Sequence, residues 1–205
     1  MYTLYSRPGS GGFVVEAALA LAGLPYEVVD IKSDSPTDRF LELSPLRQVP
    51  VLTLPDGSSI TESAAMLIYL ADANPGSGLA PAPTAPERAE FLRSLLLQAT
   101  ALYPALLRWF YSERGTVDPA GREAVKEAAV AEADRYLLVI DRALEGRDWL
   151  VGDSMTVADI YLLMLAHWHP VAFKPRDEWK NIVRVIDAVK AHPAIDGMRA
   201  RHAMW

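Results

Sequence analysis

The chain has 205 residues, 51% of them hydrophobic and 22% charged, with a formal net charge of −6 and no cysteine. That balance suits a soluble globular protein of one large or two modest domains, and the scattered Lys and Arg offer nucleic acid no basic footprint. Without cysteine there is no disulfide, no thiolate metal site and no protein thiol chemistry, so any sulfur chemistry has to arrive with a ligand. No apolar run reaches the length of a bilayer span, and Met1–Ser6 lacks the basic and apolar parts of a secretion signal. A cytoplasmic location is expected, with no membrane partner.

The β-rich residues 2–6 predict a first strand. Arg7–Gly12 is a loop by composition, and Phe13–Ala22 predicts a helix of nearly continuous apolar character in which Glu16 is the one charge. Gly23 suits the position just past its end. Residues 26–31 predict a second strand, and 36–43 a helical or irregular stretch. Two short apolar runs around Asp56-Gly57 predict a hairpin with a two-residue turn, both of whose residues take positive φ. A helix follows from about Glu62 to Asn74. Residues 74–86, dense in Pro, Gly and small side chains, read as a linker.

Beyond the linker no strand signal remains. Helical periodicity runs through 87–114 and again through 120–144. Thr156 and Asp159 have the spacing of a capping box, with Met155 and Ile160 at the staple positions, ahead of an almost wholly apolar helix from Val157 to about Ala166. A further helix is expected over about 179–191. The order β-α-β-α-β-β-α followed by helices predicts an α/β thioredoxin-like domain (1–75), a linker (76–86) and an all-α domain (87–205).

One stretch draws the chemistry together. Pro50 lacks an N–H at the start of the third strand, leaving the backbone of Val49 in need of another partner, and Val49-Pro50 is a candidate cis bond. Glu62-Ser63 opens a helix, where unpaired N–H groups and the positive dipole end favour an anion. A small extended peptide bearing both a carboxylate and an ammonium matches these features.

Gln48-Val49-Pro50, Glu62-Ser63, the Pro-rich linker and the Ser154–Asp159 cap, in this order, resemble the cytosolic-type glutathione transferase family along the whole chain. The resemblance implies that Val49 bonds the cysteinyl part of glutathione, that Glu62 and Ser63 hold its γ-glutamyl end, and that Gln48 meets the peptide backbone or glycyl end. It implies a homodimer built on the helices at 63–73 and 87–114, glutathione as co-substrate, and a role in detoxification. For the thiol-activating group it leaves Ser10 and Tyr5, with Ser10 preferred because residues 4–11 are similar to bacterial serine-type members, and with Ser6 a more distant third. The acceptor is expected between the loop 7–13 and a helix carrying Tyr103, Leu106 and Phe110, with Phe13 on the loop side. Met204-Trp205 is expected either to fold over that pocket or only to fray.

A free thiol near pKa ~8.5 is only a few per cent ionised at neutral pH, and lowering it by about two pH units takes roughly 2.7 kcal/mol. A hydrogen bond donated to a charged acceptor supplies about 1.5–3 kcal/mol, so one hydroxyl with nearby amides suffices. His167 and His169 face different ways at a helix end, and His192 and His202 stand isolated, so no metal site is expected. Glutathione conjugation to a small apolar electrophile is the leading reading. The alternatives are a glutathione-dependent peroxide or disulfide reductase or isomerase of the same fold, and a non-catalytic binding protein.

Overall fold

The computed structural model describes residues 1–33, 35–170 and 178–204. Two compact units form. One joins Met1–Arg88 with Lys190–Trp205, and the other is Ala89–Val189. The tail from residue 190 thus belongs with the α/β unit and not with the all-α domain that the sequence predicts over 87–205.

In the first unit, β1 (Tyr2–Ser6), β2 (Tyr26–Asp30), β3 (Val51–Thr53) and β4 (Ser59–Ile60) form one sheet in the order β2-β1-β3-β4. β1 runs parallel to β2 and antiparallel to β3. Alternation along β1 buries Tyr2, Leu4 and Ser6 on one face. The other face carries Tyr5, which joins Val29 and Val49 around a core of Ile31, Phe40 and Val51. Phe40 comes from α2 (Asp38–Leu43), capped by Thr37, whose hydroxyl accepts the Phe40 amide at 3.2 Å.

α1 (Gly12–Leu21) is buried along most of its length, as its continuous apolar sequence requires. It ends in a Schellman pattern: Gly23 at φ 62 donates to the Ala20 carbonyl, and Leu24 donates to Leu19. The β3–β4 connection departs from the two-residue turn. Leu54 and Ser58 are joined by a backbone bond, Gly57 donates back to Leu54, and only Gly57 takes positive φ. The loop is therefore three residues long, a type I turn closed by a left-handed glycine. Pro55 after Leu54 fits the first central position of that turn. α3 (Ser63–Ala73) follows β4 directly.

The second unit carries helices and no strand among its described residues: α4 (Arg88–Leu97), α5 (Tyr103–Phe110), α6 (Arg122–Ala143), α7 (Val157–His167) and α8 (Lys180–Lys190), with the ends of α4 and α8 shared across the division. The single helix expected over 87–114 is interrupted by a π turn at Gln98–Leu102. Pro104 explains the break, since its ring nitrogen has no proton to donate and α5 has to restart around it. α7 is buried from Val157 to Ala166. The capping box forms: Thr156 accepts the Ala158 amide, while the Asp159 carboxylate accepts the amides of Thr156 (2.8 Å) and Leu150 (2.9 Å). Burial raises the Asp159 carboxyl above its ordinary range, and these bonds pull the other way. After α8, two short helices, α9 (Pro193–Asp196) and α10 (Arg199–His202), pack within the first unit.

Candidate active site

The Val49–Pro50 bond is cis. Antiparallel register pairs Tyr5 with Val51, the first residue of β3, so Val49 stands two residues ahead of the paired strand. Val49 takes part in none of the backbone hydrogen bonds formed outside the regular elements among the described residues. Its neighbour Gln48 is clasped by Ser44, whose hydroxyl accepts the Gln48 amide at 3.0 Å and donates to its carbonyl at 2.9 Å. The turn before Val49 is thus fixed, and the Gln48 side chain stays exposed.

Glu62 is the residue ahead of α3, exposed and held at φ 66, ψ 105. A non-glycine residue in that region costs on the order of 1–3 kcal/mol, and such outliers gather at binding sites. Its carbonyl accepts the Met66 amide, so the backbone is committed to the helix while the carboxylate is turned outward. Ser63, half-buried, begins the helix.

Ser10 closes the loop between β1 and α1. Its hydroxyl donates to the Arg7 carbonyl at 2.7 Å and accepts the Gly12 amide at 3.2 Å and the Arg7 amide at 3.4 Å. Ser6 is fully buried beneath it, with the two hydroxyl oxygens 3.4 Å apart. Gly12 permits this, because a β-carbon there would stand 1.8 Å from the Ser6 Oγ. Tyr5 lies on the opposite sheet face, its ring 6.4 Å from that of Phe40.

Of the expected acceptor contacts, Phe13 and Leu106 are core side chains, at 0% and 1% exposure. Phe13 packs edge-on against His202 at 5.2 Å. Tyr103, half-buried, meets Trp168 edge-on, and Phe110 is 48% exposed. Met204 is buried, and Trp205 lies outside the described residues.

His202, isolated in the sequence, is not isolated in the fold. Its ring is buried in the first unit, with Nδ1 accepting the Gly9 amide at 3.3 Å and Nε2 facing the Glu16 carboxylate at 3.0 Å. Arg201 donates to the same Glu16 oxygen at 3.1 Å and reaches Asp30 at the end of β2. Burial works against the Arg201 charge, but the Asp30 hydrogen bond and the charges of Glu16 and Asp30 outweigh it and hold the guanidinium above its ordinary range. The one available signal was Glu16 itself, a lone carboxylate in an apolar helix that has to find a cation or donor somewhere. Nothing in the sequence says that its partners stand 185 and 186 residues away.

Comparison with known proteins agrees with this architecture. Residues 14–73 match the glutathione S-transferase N-terminal domain family, and residues 110–193 match the glutathione S-transferase C-terminal domain family. A glutathione S-transferase of Xanthomonas campestris pv. campestris is 34% identical over 80% of this chain and 81% of its own length. An uncharacterized GST-like protein of Escherichia coli (strain K12) is 29% identical over 98% of both. The solved structure of a sphingomonad glutathione S-transferase complexed with glutathione matches with a TM-score of 0.85 at 28% identity, over 99% of this chain and 100% of that one. The chain belongs to the glutathione S-transferase family, and its enzyme class is glutathione transferase.

Proposed function

We propose that the first unit binds glutathione along the Val49 edge and the opening of α3, and that Ser10 activates its thiol for transfer to a small apolar electrophile. The observation that carries the reading is the backbone of Glu62, held at φ 66 at a helix start with its side chain exposed. In this reading Glu62 meets the ammonium of the γ-glutamyl group, and the Ser63 hydroxyl and amide meet its carboxylate at the positive end of α3. The Val49 amide and carbonyl pair with the cysteinyl residue as an added strand would. Gln48 takes the peptide backbone or the glycyl end, and Pro50 shapes the edge.

Ser10 acts by donation. Its Oγ already accepts the Gly12 amide, and rotating its proton from the Arg7 carbonyl to the sulfur exchanges a neutral acceptor for a charged one, which is the stronger bond. The thiol proton passes to solvent; the thiolate sulfur then forms a bond to the electrophilic carbon as the leaving group departs with its electron pair. Tyr5 plays no part in thiol activation in this reading, since its ring packs on Phe40. Tyr103 and Phe110 are the proposed acceptor contacts. A homodimer in the cytoplasm, acting in detoxification, completes the reading.

The test is direct. The purified protein is expected to bind immobilised glutathione, to elute with free glutathione, and to conjugate it to a general chromogenic electrophile. Glu62→Ala is expected to weaken retention about 10- to 100-fold. A protein that neither binds the matrix nor turns over the electrophile overturns the reading.

A further inference from the structure

The loop that carries Ser10 is held from outside by the C-terminal tail. Gly9 precedes Ser10 directly, and its amide donates to His202 Nδ1. Gly9 also lies close to the tail backbone: a β-carbon there would stand 3.3 Å from the His202 carbonyl, and the residue sits at φ 68. A nitrogen that accepts an amide proton carries none of its own, so the imidazole proton resides on Nε2, where it points at Glu16. Glu16 is anchored in turn by Arg201, which is tied to Asp30. The imidazole is thus gripped from both sides, by a rigid buried helix on one and the Arg7–Ser10 turn on the other. Met204, fully buried just beyond, fixes the end of the tail.

We propose that His202 is a positioning residue for the thiol-activating loop: oriented by Glu16, its Nδ1 holds the Gly9 amide and thereby sets where the Ser10 hydroxyl stands. Gly9 and Ser10 are consecutive, and the Ser10 oxygen is bonded to the turn's own amides and carbonyl. A shift of the Gly9 peptide therefore moves the hydroxyl with it. The catalytic consequence rests on the reading that Ser10 is the donor to the thiolate; the latch itself does not.

Two substitutions separate the two sides of the imidazole. His202→Asn puts an amide oxygen near the place of Nδ1, able to accept from Gly9 but too short to reach Glu16. His202→Gln puts an amide nitrogen near the place of Nε2, able to donate to Glu16 but not to hold Gly9. Hydrogen exchange at the Gly9 amide is measured in the full-length protein, alongside the pH titration of bound glutathione's thiolate absorbance. His202→Asn is expected to keep Gly9 protection within about threefold of wild type, and His202→Gln to lose about tenfold. The Gln variant is also expected to lower kcat while leaving the KM for glutathione nearly unchanged. Equal loss in both variants, no loss in either, or loss confined to the Asn variant overturns the latch. Ser10→Ala serves as the separate control. If it leaves the bound thiol's titration unmoved, the catalytic reading fails, while the Gly9 exchange pattern still decides the latch.

Discussion

Gly12 stands so close to Ser6 that a β-carbon on it would meet the Ser6 Oγ at 1.8 Å and the Ser6 Cβ at 2.7 Å. Rotating the serine cannot relieve both contacts, because the second involves an atom fixed to the backbone. Gly12→Ala is therefore expected to destabilise the protein by about 1–3 kcal/mol, the usual range for overpacking. The double variant Ser6→Gly/Gly12→Ala should recover most of that loss, as read by urea denaturation of all four members of the cycle. Additive losses would show that the contact is absorbed elsewhere.

Glu62 pairs backbone strain with an outward carboxylate, so stability and binding should respond in opposite directions. Glu62→Gly relieves a φ of 66 and is expected to raise stability by about 1 kcal/mol. The same change removes the proposed partner of the ligand's ammonium and should weaken glutathione binding about 10- to 100-fold. Glu62→Ala should weaken binding equally without the gain in stability. Thermal melts with and without glutathione check both halves.

These two positions show where sequence reading reaches and where it stops. Strand, helix and cap signals depend on neighbours a few residues apart, so β1, α1, the helix opened at Ser63 and the Thr156–Asp159 box were legible. Local ambiguity cost the rest: Asp56-Gly57 satisfies two hairpin geometries, and the choice fell to Pro55 in front of it. Pro104 inside a periodic run forced a π turn that periodicity alone does not register. The binding edge was legible only through the family resemblance of Gln48-Val49-Pro50 and Glu62-Ser63, and the fold puts Val49 ahead of its cis proline and Glu62 at a helix start. His202 lay beyond reach, because its significance exists only once the tail folds back on α1.

In the second unit, Glu90 and Arg147 form a forked pair at 2.7 and 3.2 Å, part-exposed on both sides. The Arg147 hydrogen bond, opposed by burial and helped by the guanidinium charge, holds the Glu90 carboxyl below its ordinary value of 4.5. A depressed carboxyl pKa contributes stability that is fully present above the unfolded value and is lost as pH falls through the folded one. Wild type should therefore lose stability below about pH 4.5 more steeply than Glu90→Gln. Screening keeps the difference small at neutral pH, under about 1 kcal/mol. Urea midpoints collected from pH 7 to 3 check this, and parallel curves for the two proteins would refute it.

The measurement that bears most directly on the account is the ultraviolet titration of enzyme-bound glutathione in wild type, Ser10→Ala and Tyr5→Phe. In wild type the thiol should ionise about two pH units below its free value of ~8.5. Ser10→Ala should return it most of the way and cut turnover about 10- to 100-fold, while Tyr5→Phe leaves both within about threefold of wild type. If the Ser10→Ala curve overlies that of wild type, or the Tyr5→Phe curve is the one that moves, Ser10 is not the group that stabilises the thiolate.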